Sequence, residues 1–255
     1  MKVQEMTSDL AGKRVTVVGL GRSGAASVRL LTTQRARITV TDEKPATSLY
    51  GYAEQLPQGV QRRFGGFSLR DFIDTDLVVV SPGVAYDHPY LLRARAAGVP
   101  TVSELDLAYR RTTKPLIAVT GTNGKTTVTS WLALMLEAAG RRARVCGNIG
   151  YAFSAAVLEN GENEVYVVET SSFQLEGIEQ FRPTVGVILN VTPDHLDRHG
   201  TLDQYLELKL RLAMNQQPGD ALIINQDDPL LAAAAVPGRG DVYAISRQGE
   251  VERGA

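Results

Sequence analysis

Residues 115–140, PLIAVTGTNGKTTVTSWLALMLEAAG, contain the pattern that decides the fold of the second half of the chain. The apolar residues 116–119 predict a buried strand, and the amphipathic stretch that ends at Gly140 predicts a helix. A glycine-rich loop joins the two, and a strand, such a loop and a helix in this order form the geometry that cradles phosphate. The residues that we expect to bind the phosphates of ATP are Gly121, Thr122, Asn123, Gly124, Lys125, Thr126 and Thr127.

Two side chains of this loop have the chemistry of a nucleoside triphosphate site. Lys125 supplies a positive charge near the outer phosphates, and the hydroxyl of Thr126 can reach a Mg²⁺ ion. The common P-loop pattern has a glycine where this chain has Val119, so the match to that pattern is incomplete. The structural alternative is an ordinary turn between a strand and a helix.

The composition of the chain is that of a soluble globular protein and excludes several classes of function. Its 255 residues are 44% hydrophobic and 22% charged, which is typical of one large or two medium domains. A formal net charge of −1 gives no global attraction to nucleic acid or to an anionic membrane, so we expect neither as a partner.

The cysteine count and the apolar runs bear on the cellular compartment. Cys146 is the only cysteine, which excludes an intrachain disulfide, fits a reducing compartment and is interpreted as a small core residue. Residues 1–15 lack the apolar core of a signal peptide, and no apolar run approaches the ~20 residues that span a membrane. We therefore expect a cytoplasmic protein.

Strands and helices alternate along the whole chain, which predicts an α/β fold with mostly parallel sheets and helices on both faces. In the first half, the strands are predicted at 14–20, 36–40, 76–80 and 99–102, and the helices at 25–31 and 90–97. In the second half, the strands are predicted at 116–119, 144–146, 165–169, 184–190 and 221–225, and the alanines at 232–235 are predicted to be helical. We predict a Rossmann-like domain over 1–112, followed by a P-loop-type ATP-binding domain over 113–255 that is incomplete.

A second glycine-rich loop, GLGRSG, follows the first predicted strand and precedes a helix. With Asp42 at the end of the second strand, it matches the dinucleotide fingerprint, in which an acidic side chain binds a ribose hydroxyl. Alone it suggests a nicotinamide-dependent oxidoreductase, but a helix N-terminus recognises only the pyrophosphate and accepts any nucleoside diphosphate conjugate. The residues expected to bind this ligand are Gly19, Leu20, Gly21, Arg22, Ser23, Gly24 and Asp42.

Polar side chains follow two further predicted strands of the second half. Glu169 ends the strand VYVVE, where a carboxylate of a phosphoryl-transfer enzyme would bind Mg²⁺. His195, flanked by Asp194 and Asp197, follows the next strand and could approach the same metal. Lys209 lies between leucines of a predicted helix, where a lysine can simply extend to solvent. We interpret His88 and His199 as structural.

Together these segments resemble the Mur ligases, ATP-dependent enzymes that build the peptide of peptidoglycan. The segments that carry the resemblance are GLGRSG (19–24), SPGV (81–84), GTNGKTT (121–127), GNIG (147–150), ETSSFQLE (169–176), NVTPDHLDRH (190–199) and YLELKLR (205–211). Valine in place of the first P-loop glycine is a trait of this family, so Val119 supports the resemblance. SSFQLE and DHLDRH resemble most closely the member that adds D-glutamate to UDP-N-acetylmuramoyl-L-alanine.

The resemblance implies a role for each matching residue. Lys125 and Thr126 would hold ATP and Mg²⁺, and Asn148 and Ser171 would lie around the reacting carboxyl group. Ser81 would join the first glycine loop in binding the UDP substrate. Lys209 matches a lysine that the family carbamylates with CO₂. The residues implied as metal ligands are Thr126, Glu169, His195 and Lys209.

The family also has a third, C-terminal domain that holds the incoming amino acid. Three domains of ~150 residues require roughly 450 residues, so we expect this chain to end inside the second domain. It would then be a fragment, a truncated gene product or one half of a split enzyme that a C-terminal chain complements, and we expect it to be inactive alone. Two other functions stay open at this point. A Rossmann oxidoreductase would bind a nicotinamide cofactor, and a non-catalytic module would bind ATP and UDP-sugar without turnover. Another Mur ligase is a further alternative.

Overall fold

A computed structural model of the protein describes residues 10–255 and divides into two compact units. The first unit comprises the described residues up to Thr112, together with Ala152–Asn160 and Glu176–Glu179. The second comprises Thr113–Tyr151, Gly161–Leu175 and Gln180–Ala255. The predicted domains, 1–112 and 113–255, place both returning segments in the second domain, because a return of the chain to an earlier core leaves no local sequence pattern. The prediction that the N-terminus lacks a signal peptide rests in part on residues 1–9, which lie outside the described residues.

The first unit contains a five-stranded parallel sheet in the order β3-β2-β1-β4-β5. This is the strand order of a dinucleotide-binding half, with its switch point between β1 and β4. The strands are β1 (Arg14–Val18), β2 (Arg37–Asp42), β3 (Gln61–Phe64), β4 (Leu77–Val80) and β5 (Thr101–Ser103). The helices are α1 (Arg22–Thr33), α2 (Leu69–Ile73), α3 (Pro89–Ala96), α4 (Glu104–Tyr109) and, from the returning segment, α6 (Phe153–Glu159).

Both faces of the first sheet carry an apolar core. On one face, Val15 and Val17 of β1 pack with Val28 and Leu31 of α1. On the other, Val78 and Val80 of β4 pack with residues of α2 and α3 such as Phe72. The fold class predicted from alternating strands and helices is therefore confirmed in this unit, with a core on each side of a parallel sheet.

The second unit contains a six-stranded parallel sheet in the order β11-β10-β9-β6-β8-β7. Its strands are β6 (Leu116–Thr120), β7 (Ala143–Gly147), β8 (Val165–Glu169), β9 (Val185–Ile188), β10 (Ala221–Asn225) and β11 (Asp241–Ile245). Its helices are α5 (Lys125–Ala138), α7 (Ser172–Leu175), α8 (Leu196–His199), α9 (Leu202–Leu210) and α10 (Pro229–Ala233). Because β6 lies between β8 and β9, the loops that follow these three strands meet at one edge of the sheet.

Several elements differ from the sequence prediction. Strand β3 has the polar sequence QRRF, which shows no apolar alternation, and it was missed. Strand β11 was also missed; it lies at the edge of the second sheet and pairs only with β10 among the described strands. The alanine run is helical only to Ala233, because Ala234 has ψ 137° and leaves the helix. The short helices α2, α6, α7 and α8 were not predicted either.

Within residues 10–255, none of the helices combines the length and the apolar character that crossing a membrane would need. Cys146 is buried, in agreement with its interpretation as a core residue.

Candidate active site

The glycine-rich loop of the second unit turns sharply between β6 and α5. Gly124, the N-cap of α5, has φ +83°, a left-handed conformation that glycine adopts without strain. Gly121 has φ +155°, and a Cβ atom there would lie 3.0 Å from Cβ of Leu189. Because the first N–H groups of a helix have no partner within it, the start of the 14-residue helix α5 presents donors and a positive dipole end. The loop thus has the geometry of a phosphate-binding loop.

Asn190, which follows β9, holds this loop in place. Its Oδ1 atom accepts hydrogen bonds from N–H of Thr122 at 3.0 Å and of Asn123 at 2.8 Å. Its Nδ2 atom donates to the carbonyl of Asn123 at 3.1 Å. Asn190 belongs to a segment that resembles the family, but its sequence context alone predicts no role for it. The signal that could have indicated a role for Asn190 is its amide side chain just after β9, the third of the parallel strands that meet at this site.

The ammonium group of Lys125 folds back over the loop. Its Nζ atom donates to the carbonyl oxygens of Gly121 at 3.0 Å and Thr122 at 2.8 Å. These are neutral acceptors, so the charge is available to a phosphate group that replaces one of them.

Glu169 brings three of the predicted site residues together at the end of β8. Its Oε2 atom accepts a hydrogen bond from the hydroxyl of Thr126 at 2.6 Å, and its Oε1 atom accepts one from Nδ2 of Asn148 at 2.8 Å. The carboxylate is 2% exposed. Asn148 reaches it because β7 and β8 pair in register, with Gly147 opposite Glu169. A carboxylate beside a hydroxyl at a phosphate loop is the oxygen donor set that Mg²⁺ uses together with phosphate oxygens.

Lys209 of α9 is fully buried, at 0% exposure. Its Nζ atom has no hydrogen-bond partner within residues 10–255 and lies 4.2 Å from the centre of the Tyr205 ring. Burial, followed by the nearby charge of Lys125, lowers the pKa of Lys209 to about 7, and the charge of Asp194 opposes this shift. The charges of Lys125 and Lys209 repel each other, and Nζ of Lys209 has no hydrogen-bond acceptor among the described residues. Both properties fit a site that binds an anionic group. The sequence-based alternative, a lysine that extends to solvent, is wrong.

Ser171 and His195 lie outside the Glu169 hydrogen-bond set. The hydroxyl and N–H of Ser171 donate to Oε1 of Gln174, at 3.2 Å and 3.0 Å. The half-exposed His195 has φ +51° and contacts Asp194 at 3.6 Å and the ring of Phe173 at 5.0 Å. Among the described residues, no group of three or more His, Cys, Asp or Glu side chains could hold a metal ion by itself, whereas Mg²⁺ needs fewer protein ligands when it also binds phosphate oxygens and water. The predicted metal ligands therefore divide into the pair Thr126–Glu169 and the separate residues His195 and Lys209.

The GLGRSG loop of the first unit is held by a hydrogen bond from Ser81 and by the close approach of two of its own glycines. The hydroxyl of Ser81 donates to the carbonyl of Gly19 at 2.7 Å, so Ser81 braces the loop from the end of β4. A Cβ atom on Gly24 would collide with that same carbonyl oxygen. Gly21 differs, because a Cβ there would meet nothing within 4 Å. The loop leads into α1, which begins at Arg22 and continues through Ser23.

Asp42 contacts this loop directly. Its carboxylate accepts hydrogen bonds from N–H of Leu20 at 2.7 Å and of Lys44 at 2.8 Å. Asp42 thus organises the backbone around the candidate ligand site. The sequence predicted a contact of Asp42 with the ligand but not this structural role.

Comparison with known proteins adds the family to this geometry. Residues 119–253 match the model of the Mur ligase middle domain, which is more than half of the chain. Residues 13–103 match the Mur ligase MurD-like N-terminal domain. The chain belongs to the Mur ligase family.

Two relatives share extensive sequence with this Mur ligase chain, and both are UDP-N-acetylmuramoylalanine–D-glutamate ligases. The one from Anaeromyxobacter dehalogenans (strain 2CP-C) is 47% identical over 238 residues, which cover 93% of this chain and 51% of the relative. The one from Koribacter versatilis (strain Ellin345) is 44% identical over 251 residues, covering 96% of this chain and 54% of the relative. The chain spans about half the length of the curated relatives that it matches.

Solved structures of other Mur ligases share the fold. The UDP-N-acetylmuramate:L-alanyl-gamma-D-glutamyl-meso-diaminopimelate ligase from Neisseria meningitides is 19% identical with a TM-score of 0.60, covering 92% of this chain and 78% of its own. The MurF ligase from Thermotoga maritima in complex with ADP is 18% identical with a TM-score of 0.51, covering 98% of this chain and 52% of its own. At these identities the likeness concerns the fold alone.

Proposed function

We propose that this chain provides the UDP-substrate and ATP-binding domains of an ATP-dependent ligase that joins D-glutamate to UDP-N-acetylmuramoyl-L-alanine. The observation that carries the proposal is a loop with the geometry of a phosphate-binding loop, in which the hydroxyl of Thr126 donates to the carboxylate of the buried Glu169 at 2.6 Å. The two D-glutamate ligases that share 47% and 44% of their aligned residues with this chain support the choice of substrates. The reaction would be a cytoplasmic step in the synthesis of peptidoglycan precursors.

In the proposed reaction, the terminal carboxylate of UDP-N-acetylmuramoyl-L-alanine takes the γ-phosphoryl group of ATP, which leaves as ADP, and becomes an acyl phosphate. The amine of D-glutamate attacks the acyl carbon, and the collapse of the tetrahedral adduct yields the amide and phosphate. Activation is needed because an ionised carboxylate is a poor acceptor for an amine. Lys125 and the loop N–H groups would stabilise charge on the transferring phosphoryl group. Asn148 and Ser171 would orient the reacting carboxyl group.

The donor set of the second unit fits Mg²⁺. Thr126 and Glu169 would hold the ion together with phosphate oxygens, and His195 would contribute to a second position. When bound, Mg²⁺ offsets the negative charge of the transferring phosphoryl group.

Lys209 has the properties that carbamylation requires. With a pKa of about 7, about half of its side chains carry a free amine at pH 7. That amine would form an N–C bond to CO₂ and release one proton, which gives a carbamate anion. Starting from the ammonium cation, two protons are released in all. The carbamate would put an anion in place of a buried cation that has no hydrogen-bond acceptor among the described residues. This anion would pair with the ammonium group of Lys125 and act beside His195 as a ligand for Mg²⁺.

In the first unit, the GLGRSG loop would bind the UDP moiety. The start of α1 supplies the anion site for the pyrophosphate, and Gly21 leaves room for a close approach of the ligand to the backbone. The family match favours this ligand over the nicotinamide cofactor of an oxidoreductase. A C-terminal domain, on this chain or a complementing one, would hold D-glutamate.

Calorimetric titration of the whole chain tests the proposal. We expect separate binding of UDP-N-acetylmuramoyl-L-alanine and of Mg·ATP, and no binding of NADH. Tight NADH binding without UDP-substrate binding would select the oxidoreductase instead. Binding of both expected ligands, without amide formation when a family C-terminal domain and D-glutamate are added, would select the non-catalytic module.

A further inference from the structure

Five side chains of the second unit form a continuous column of rings capped by a cation at each end. The guanidinium carbon of Arg198 lies 4.3 Å from the ring centre of Phe173. The ring of Phe173 lies 5.1 Å from that of His199, which in turn lies 5.2 Å from that of Tyr205. The column ends at Nζ of Lys209, 4.2 Å above Tyr205. These separations are those of favourable aromatic and cation–π contacts.

His199 is the centre of this column, which we call the ring column. It is 7% exposed, and its ring is stacked on Tyr205 with an angle of 25° between the planes. Its Nε2 atom also makes a hydrogen bond of 2.9 Å with the hydroxyl of Ser172, which is buried. His199 therefore contacts the segment after β8 and helix α9 at the same time.

The ring column connects the chain segments that carry Ser171, His195 and Lys209, the candidate residues outside the hydrogen-bond set of Glu169. Ser172 and Phe173 directly follow Ser171, and Phe173 also contacts the ring of His195 at 5.0 Å. His195 is the N-cap of α8, the four-residue helix that ends with His199. At the other end, the hydroxyl of Tyr205 lies 3.5 Å from Oγ1 of Thr122 in the phosphate loop.

We propose that His199 is a positioning residue that, through the ring column, fixes Lys209 and His195 relative to the phosphate loop. This inference deepens the proposed function and rests on it for the roles of Lys209 and His195. A lysine has four rotatable bonds, and Lys209 has no hydrogen-bond acceptor within the described residues to fix its Nζ atom. The face of Tyr205 restricts it instead, and His199 restricts Tyr205.

Two measurements on the whole chain test this inference. The first is the ¹³C–¹H spectrum of the chain with labelled lysine, in which Lys209→Met identifies the Lys209 signals. The ring of Tyr205 shifts these signals upfield, so they report the contact between Nζ and the ring without any ligand. The second is the ratio of the Kd values for ADP measured with EDTA and with Mg²⁺, because His195 and Lys209 lie on the proposed metal side of the site.

We expect His199→Ala to remove most of the upfield shift of Lys209 and to lower the Mg²⁺-dependent gain in ADP affinity about 10- to 100-fold. His199→Phe keeps a ring in the column and should retain the Lys209 shift. Ser172→Ala, a smaller change, should reduce the Mg²⁺-dependent gain in the same direction and serves if His199→Ala folds poorly.

The matched control is His88→Ala, which also removes a histidine ring from an aromatic cluster, formed with Phe67, Phe72 and Tyr90 of the first unit. It should lower Tm without changing the Lys209 signals or the Mg²⁺ ratio. If His199→Ala or Ser172→Ala lowers Tm while both readouts stay as in the wild type, His199 is only structural and the inference is overturned. If the wild type binds no nucleotide, the proposed function fails, and the Lys209 shift alone decides the inference.

Discussion

Lys125 is the residue whose loss should separate the two proposed nucleotide sites. Lys125→Ala removes the ammonium group that now lies on the loop carbonyls and that we expect to contact the outer phosphates. A charge-assisted hydrogen bond contributes about 1.5–3 kcal/mol, so the affinity for Mg·ATP should fall roughly 10- to 150-fold. The affinity for UDP-N-acetylmuramoyl-L-alanine should stay the same, because GLGRSG lies in the other unit. Calorimetry with each ligand decides; an equal loss for both would contradict the assignment of the sites.

Lys209 makes the stability of the protein depend on pH in a defined direction. Its pKa falls from 10.5 when exposed to about 7 in the fold, so between these values the unfolded chain binds more protons than the folded one. This contribution to the free energy of unfolding therefore rises with pH from about 7 to 10.5, by about 1.4 kcal/mol per pH unit. Below pH 7, the fold bears the full cost of a buried ammonium group.

Lys209→Met removes this titration and nearly keeps the side-chain volume. We expect the variant to be more stable than the wild type at pH 6, and its advantage to shrink as the pH approaches 10. The measurement is urea unfolding of both proteins at several pH values in buffer purged of CO₂, so that no carbamate forms. A difference that stays constant over this range would show that Lys209 titrates normally.

At this scale, candidate groups could be named from the sequence, but most of the contacts that the structure gives them could not. Lys125, Thr126 and Glu169 were predicted to lie near each other, because they stand in a glycine-rich loop and at the end of a parallel strand. Asn190 was missed as the residue that holds the loop, since its contacts at 2.8 Å and 3.0 Å join segments 67 and 68 residues apart. The exposure of Lys209 was also open, because leucines beside a lysine are compatible with either a buried or an exposed amine.

The element that joins β1 to α1 offers a pair of matched glycine substitutions. Gly24→Ala places a Cβ against the carbonyl of Gly19 and 3.0 Å from Oγ of Ser81, so it should lower the free energy of unfolding by about 1–3 kcal/mol. Gly21→Ala meets nothing within 4 Å and should change it by less than about 0.5 kcal/mol. Its methyl group, however, would occupy the space in which we expect the pyrophosphate to bind. Gly21→Ala should therefore weaken UDP-substrate binding with stability intact, as urea unfolding and calorimetry would show. If UDP-substrate binding weakens in Gly24→Ala but not in Gly21→Ala, this assignment of the loop is contradicted.

The strands that are plainest in the sequence are those whose residues are buried on both faces. Strands such as β4 (LVVV) and β8 (VYVVE) are continuous apolar runs, because helices cover both sides of a parallel sheet. Strands β3 and β11 lie at sheet edges and, unlike the edge strand β5, consist mostly of exposed or half-buried residues, so their sequences need not be apolar. The four-residue helices α7 and α8 are too short to show a helical period, and tertiary contacts such as that between Ser172 and His199 hold them.

On the scale of the whole molecule, the first unit requires a segment from the second half of the chain. Helix α6 supplies N–H of Ser154, which donates to Oε1 of Glu104 at 2.6 Å. Glu104 is 1% exposed, and burial raises the pKa of its carboxyl group. Ala152 and Ala155 of the same segment pack against Ala26 of α1. Without this segment, a fragment that ends at Thr112 would leave the Glu104 carboxyl group without this donor and expose the alanine surface.

We therefore expect the fragment ending at Thr112 to be less stable than the same fragment joined to Ala152–Asn160 through a flexible glycine–serine linker. The difference should be about 2 kcal/mol or more, since it combines a lost hydrogen bond to a buried carboxyl group with lost apolar burial. Urea unfolding of the two proteins measures it, and amide exchange in α4 shows where the protection is lost. Equal stability would mean that the first unit ends at Thr112 and that the returning helix is only attached to it. The linked form, rather than the shorter fragment, is then the suitable protein for measuring UDP-substrate binding by the first unit, because it keeps the returning helix that packs on α1 behind the GLGRSG loop.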